Sequence, residues 1–145
     1  MFYNPLHKNQ FLFSQYIIMQ LYNYYLLAFQ NWCSTEYQIH GLWSDINPTT
    51  YPSYCTNVPF NLQELQKSNK YDQMLQVWTD CNYNDTIALY EHEWSKHGTC
   101  IALETGFSQN EYFEKTIDLF MTNNVNDGTS ICFDMEFNKI DCEVI

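Results

Sequence analysis

Nine consecutive residues, His92-Glu93-Trp94-Ser95-Lys96-His97-Gly98-Thr99-Cys100, constrain this chain more than any other stretch. Two histidines, a carboxylate and an ammonium fall within six residues, and a glycine follows. Half of the chain's four histidines are here. The preceding residues, Thr86 to Glu91, include neither Pro nor Gly. The pattern therefore predicts a helix that runs through the cluster and stops at Gly98. At about 100° per residue, Glu93 and His97 are one turn apart, and so are His92 and Lys96. All four share one arc, while Trp94 points away and anchors the helix to the core. A face bearing His, Glu, Lys and His can bind an anion and move protons.

Three readings compete for this face. The plainest is a solvated, charged helix surface. The second is a zinc site built from His92, Glu93 and His97, but the metalloprotease motif needs histidines four apart, and here they are five apart with a lysine between. The third is acid–base catalysis on a phosphate. It gains from His40-Gly41-Leu42-Trp43, which supplies another histidine. In-line transesterification of RNA needs one group to take a proton and one to give it. Histidine, with a reference pKa of about 6.5, does either at mild pH.

A chain of 145 residues forms one domain with room for a core, and its 12 Tyr, 10 Phe and 4 Trp can bury much apolar surface. The net charge of −11 argues against a basic nucleic-acid-binding groove, because phosphate contact normally supplies that affinity. It suits a degradative enzyme with a local cationic pocket, whose activity should improve as pH falls. Six cysteines without a Cys-x-x-Cys pair point to disulfides in an oxidising compartment. Asn84-Asp85-Thr86 is an N-glycosylation acceptor sequence, consistent with secretion.

Residues 1–20 read as a degraded signal peptide or an incomplete N-terminus; the apolar run is too short and interrupted for a membrane span. Residues 21–145 read as one catalytic domain. Tyr22 to Trp32 has the content of a buried strand, and His40 would end a second strand. Thr50 to Cys55 reads as a loop. Asn61 and Glu64 mark a helix start, and the helix is expected to continue toward Trp78 with Leu62, Leu65, Met74, Leu75 and Trp78 in the core. Ser108 and Glu111 form a capping box for a helix whose apolar face is Phe113, Ile117, Phe120 and Met121. A polar connector over Asn123 to Thr129 leads to a strand at Ile131-Cys132-Phe133-Asp134.

Ile39-His40-Gly41-Leu42-Trp43 followed by the nine-residue cluster resembles the two active-site segments of the ribonuclease T2 family. These are acid endoribonucleases of secretions, lysosomes and vacuoles, and they include the plant self-incompatibility ribonucleases. The resemblance runs from about Tyr24 to Cys142. It implies an α+β fold, a central antiparallel sheet flanked by helices, here with a shortened C-terminal portion. It implies cleavage of single-stranded RNA, with low base specificity, to 2′,3′-cyclic phosphate ends. His97 would be the general base and His40 the general acid, with Lys96 and Glu93 stabilising the transition state and His92 holding the phosphate. No metal or other cofactor is implied, DNA is excluded for want of a 2′-OH, and the protein would be a monomer of the secretory pathway without stable membrane association.

By the same resemblance, Trp43, Asp45 and Tyr51 match a base-binding pocket; a turn Asp and a loop Tyr without that role is the other reading. Ser44 stands where the family usually has Pro, which would loosen the turn there. The resemblance also pairs Cys55 with Cys100, Cys132 with Cys142, and Cys33 with Cys81, each bridge adding roughly 2–4 kcal/mol. The competing functional reading is a shortened, catalytically inactive relative that binds RNA or a protein without turnover.

Overall fold

The computed structural model describes residues 24–31, 34–80, 85–123, 125 and 130–142. The expectations for residues 1–20, for Cys33 and Cys81 and for the acceptor Asn84 lie outside them. The described chain is an α+β fold. A four-stranded antiparallel sheet has the order β2-β1-β3-β4, formed by β1 (Tyr24–Gln30), β2 (Gln38–Asp45), β3 (Ser130–Phe133) and β4 (Lys139–Ile140). β1 lies between β2 and β3. That central place explains its nearly continuous apolar sequence, since a strand covered on both faces does not alternate.

β2 carries an irregularity on which the rest of the molecule depends. Ala28 pairs with Gly41, but Phe29 pairs with Ile39, so His40 is an extra residue without a partner on β1. This β-bulge re-aims His40 and shifts the alternation of the strand. Ile39 and Leu42, three apart, are consequently both fully buried in one core cluster. Sequence reading placed His40 at a strand end; it lies within β2 instead, third of eight residues. Ser44 also lies in the strand, paired with Tyr25 and buried, and no turn occurs there.

The helices are α1 (Leu62–Leu65), α2 (Tyr71–Val77), α3 (Thr86–Glu93), α4 (Thr99–Thr105) and α5 (Gln109–Thr122). Asn61 caps α1 by accepting the Glu64 N–H. The single helix expected from Asn61 toward Trp78 is two pieces. Tight turns close at Ser68, whose hydroxyl accepts the Lys70 N–H and donates to Glu114, offering the backbone an alternative to continuing. The break keeps Leu65, Met74 and Trp78 buried and leaves Leu75 exposed, contrary to expectation. α5 has the expected capping box at Ser108 and Glu111. It buries Phe113, Ile117 and Phe120, adds Tyr112, Thr116 and Leu119, and leaves Met121 exposed. Each large apolar side chain buried this way contributes roughly 1.5–3 kcal/mol.

α3 and α4 are joined by a π-helical turn, Trp94–Gly98, so the helical backbone continues from Thr86 to Thr105. Gly98 is therefore not the stop that the sequence suggested. Its φ of −60° is helical, and the rod ends at Gly106, with φ 79°. Gly98 is needed for another reason: a Cβ there would lie 2.6 Å from the Trp94 ring and 3.0 Å from Tyr112. Disulfides join Cys55 to Cys100 and Cys132 to Cys142. The first fastens the loop after β2 to α4; the second closes the β3–β4 hairpin.

Candidate active site

The π-turn lies against the bulged part of β2, and the two segments singled out in the sequence meet there. π-turns are rare and often mark functional positions, because the widened turn departs from regular helix packing. Asp85 caps the start of α3 by accepting the Ala88 N–H, which sets the register of the helix entering the turn. Trp94 is buried and donates from Nε1 to the Val58 carbonyl at 3.0 Å, the anchoring role expected of it.

Glu93 is the polar centre of the site. Its side chain is 1% exposed. Trp43 Nε1 donates to Oε2 at 2.8 Å, and Oε1 faces His40 Nε2 at 3.7 Å. Burial pushes the Glu93 carboxyl up to about 7, opposed by the Trp43 hydrogen bond and by Lys96. At acid pH the carboxyl is therefore protonated, and its 3.7 Å approach to His40 is not an ion pair.

Trp43 organises the two histidines. The His40 ring meets the indole edge-on at 5.2 Å, and the His97 ring lies on it at 5.0 Å with an interplanar angle of 28°. His40 is partly open to solvent, its side chain 43% exposed. The bulge makes this possible, and the His40 carbonyl is held by Trp78 Nε1 at 3.0 Å. Burial, then His92 and Lys96, lower the pKa of His40, while Asp80 raises it. His97 is buried, and Nδ1 has no hydrogen-bond partner among the described residues. Burial first, then the charges of Lys96, His92 and His40, push it down to about 3. It is an uncharged base over the whole mildly acid range.

Lys96 and Tyr51 complete the group. The ammonium lies over the Tyr51 ring, 5.4 Å from its centroid, and the same ring is 5.9 Å from His97. Tyr51 is half exposed and forms an aromatic wall. His92 is exposed on the helix, its pKa lowered by burial and by Lys96. Asp45, two residues beyond Trp43, is buried at the end of β2 opposite Tyr24, and burial raises its carboxyl to about 6. It is not laid open beside His97 as Tyr51 is. Among the described residues, no three His, Cys, Asp or Glu side chains converge to hold a metal ion.

Two contributors escaped sequence reading. Gly41 makes room for Glu93: a Cβ there would fall 2.0 Å from Oε2 and 2.6 Å from Trp43 Nε1. Tyr112, from α5, is fully buried and donates to the Leu42 carbonyl at 3.1 Å, bracing β2 beside the site. The Gly in His-Gly-Leu-Trp was a visible signal for the first; nothing local marked the second.

The family model described as the ribonuclease T2 family matches residues 18–129. Among curated relatives, extracellular ribonuclease LE of Solanum lycopersicum is 37% identical over 89 residues, covering 59% of this chain and 37% of the relative. Ribonuclease Trv of Hypocrea rufa is 34% identical over 104 residues, 61% of this chain and 44% of the relative. The chain thus spans less than half the length of these relatives. Among solved structures, human RNase T2 superposes with a TM-score of 0.59 at 27% identity, covering 72% of this chain and 59% of that one. Trichomaglin, described as an S-like ribonuclease, gives 0.68 at 21% identity over 83% of this chain and 91% of that one, a likeness of fold. By sequence and by fold, the chain belongs to the ribonuclease T2 family.

Proposed function

We propose that the chain is an endoribonuclease that cleaves single-stranded RNA by transesterification, with His97 as general base and His40 as general acid. The observation that carries this reading is the arrangement of the two histidines around one indole, Trp43. They come from different segments of the chain; His97 is buried and His40 is partly open to solvent. His97 takes the proton of the ribose 2′-OH. The 2′-oxygen attacks phosphorus, and the departing 5′-oxygen receives a proton from His40. The products are a 2′,3′-cyclic phosphate and a 5′-hydroxyl end.

The depressed pKa of His97, about 3, keeps it free to accept a proton in acid. His40 must carry one; burial lowers its pKa most, and the cations His92 and Lys96 lower it further. An arriving phosphate offsets the part of that lowering that comes from His92 and Lys96. Lys96 supplies positive charge to the crowded phosphorus. Glu93 carries its proton on Oε1, since Trp43 donates to Oε2, and so offers a hydrogen bond in place of a second negative charge. His92, on the open side, adds charge toward the phosphate. Lysine and histidine supply the positive charge, so the proposed reaction runs without a metal, and a substrate lacking the 2′-OH, such as DNA, is not cut.

Two disulfides and the extracellular relative support a place in the secretory pathway. The protein acts as a monomer and without stable membrane association. The test is digestion of single-stranded RNA at pH 4 to 8 in EDTA, with His97→Ala alongside. The expected result is cleavage with an acid-side, bell-shaped optimum and cyclic phosphate ends, reduced by about 10²–10⁴-fold in the variant. Loss of cleavage in EDTA would sink the metal-free mechanism. No cleavage by a folded, disulfide-intact protein would replace the enzyme with a binding protein.

A further inference from the structure

The loop after β2 is tied to the helix bearing the proposed residues at three places within five residues. The Tyr54 N–H donates to the Lys96 carbonyl at 2.9 Å, Cys55 is bridged to Cys100, and the Val58 carbonyl accepts from Trp94. These ties order the backbone, yet the side chains between them stay outside the core. Tyr51, Tyr54 and Val58 are 50%, 60% and 55% exposed. Tyr54 also adopts a φ of 52°. That left-handed backbone is costly for a residue with a Cβ and would suit glycine or asparagine. The Lys96 hydrogen bond and the adjoining disulfide hold that backbone and leave the ring in solvent, and strain of this kind concentrates at functional sites.

Tyr51 and Tyr54 lie against the same residue, Lys96: one by its ring at 5.4 Å from the ammonium, the other by its backbone at 2.9 Å from the carbonyl. We propose that Tyr54 is a second stacking platform, taking a nucleobase of the same RNA strand adjacent to the base held at Tyr51. The inference rests on the reading of the site as an RNA site and extends it to the length of strand bound. Charge makes such a platform useful. The chain carries −11, Lys67 and Lys70 are engaged with Glu64 and Asp118, and Lys115 lies over Phe137. With six Lys and Arg against 17 Asp and Glu, phosphate contacts are few, whereas stacking holds bases without needing positive charge.

The test measures binding of 2′-O-methyl adenylates, one and two nucleotides long, to the full chain by titration calorimetry. These lack the attacking hydroxyl and stay intact. In the wild type and in Tyr54→Phe, the dinucleotide binds more tightly than the mononucleotide. In Tyr54→Gly that gain falls roughly ten-fold, while Tm holds or rises as glycine relieves the backbone. An unchanged gain in Tyr54→Gly, with or without a lower Tm, overturns the proposal, as does a wild type that binds both lengths equally. Digestion of unmodified RNA alongside separates this from the reading beneath it. A Tyr54-dependent gain without cleavage keeps the platform and rejects the enzyme; cleavage without the gain does the reverse.

Discussion

Gly41 and Glu93 are in contact across the site, and no side chain fits between them: a Cβ on residue 41 would stand 2.0 Å from Glu93 Oε2. The buried carboxyl can reach Trp43 and His40 only because β2 carries a glycine there. Gly41→Ala should therefore displace Glu93, lower stability by about 1–3 kcal/mol, and depress cleavage by more than its effect on folding. Thermal unfolding and cleavage rates of the variant, compared at a temperature where it is fully folded, check this.

Trp43→Phe keeps the aromatic surface between the histidines and removes the N–H that Glu93 accepts. A buried acceptor is left unpaired, at a cost of about 1–3 kcal/mol. That hydrogen bond lowers the Glu93 pKa, so its loss moves ionisation above the present value of about 7. Carboxyl titration followed by NMR should show the upward movement; a downward one contradicts the site geometry.

Glu104 provides a pH test away from the histidines. It accepts the Tyr25 hydroxyl at 3.0 Å, and burial raises it to about 7 from the ordinary 4.5. The folded state holds this proton more tightly than the unfolded chain. The contribution is complete below about pH 4.5 and is lost as pH rises through about 7. His97, lowered to about 3, acts oppositely, costing stability as pH falls from 6.5. Glu104→Gln should flatten the decline of Tm between pH 4.5 and 7 and leave the acid side unchanged.

The two disulfides should differ in effect. Cys55–Cys100 spans 45 residues and Cys132–Cys142 spans 10. Chain entropy gives about 4 and 3 kcal/mol respectively. Replacing Cys55 and Cys100 by Ser should cost more stability. It should also weaken cleavage in still-folded protein, since Tyr51 and Tyr54 lie on the released loop. Equal activity loss from opening the Cys132–Cys142 bridge would mean the loop tie is not special.

Much of the molecule was legible locally. The caps at Asn61 and Ser108 are short-range hydrogen bonds between residues three apart, so sequence reveals them directly. Helix continuation and outward faces were read less well. The break at Ser68 and the exposure of Leu75 and Met121 depend on what each helix meets, which periodicity does not record.

The sequence by itself determined the residue types of the site, the two segments that carry them, the Trp94 anchor, the α+β class and, through resemblance, the two described disulfides. Tertiary structure alone decided how those residues are arranged and which of them are desolvated. His40 is re-aimed by a bulge that exists only because β2 pairs with β1 one residue out of step. Glu93 is neutral in acid because β2 covers it, and His97 is a free base because Trp43 and its neighbours exclude water from it. Pairing register and desolvation are long-range properties, set by segments some fifty residues apart in the chain, and no local stretch of sequence contains them.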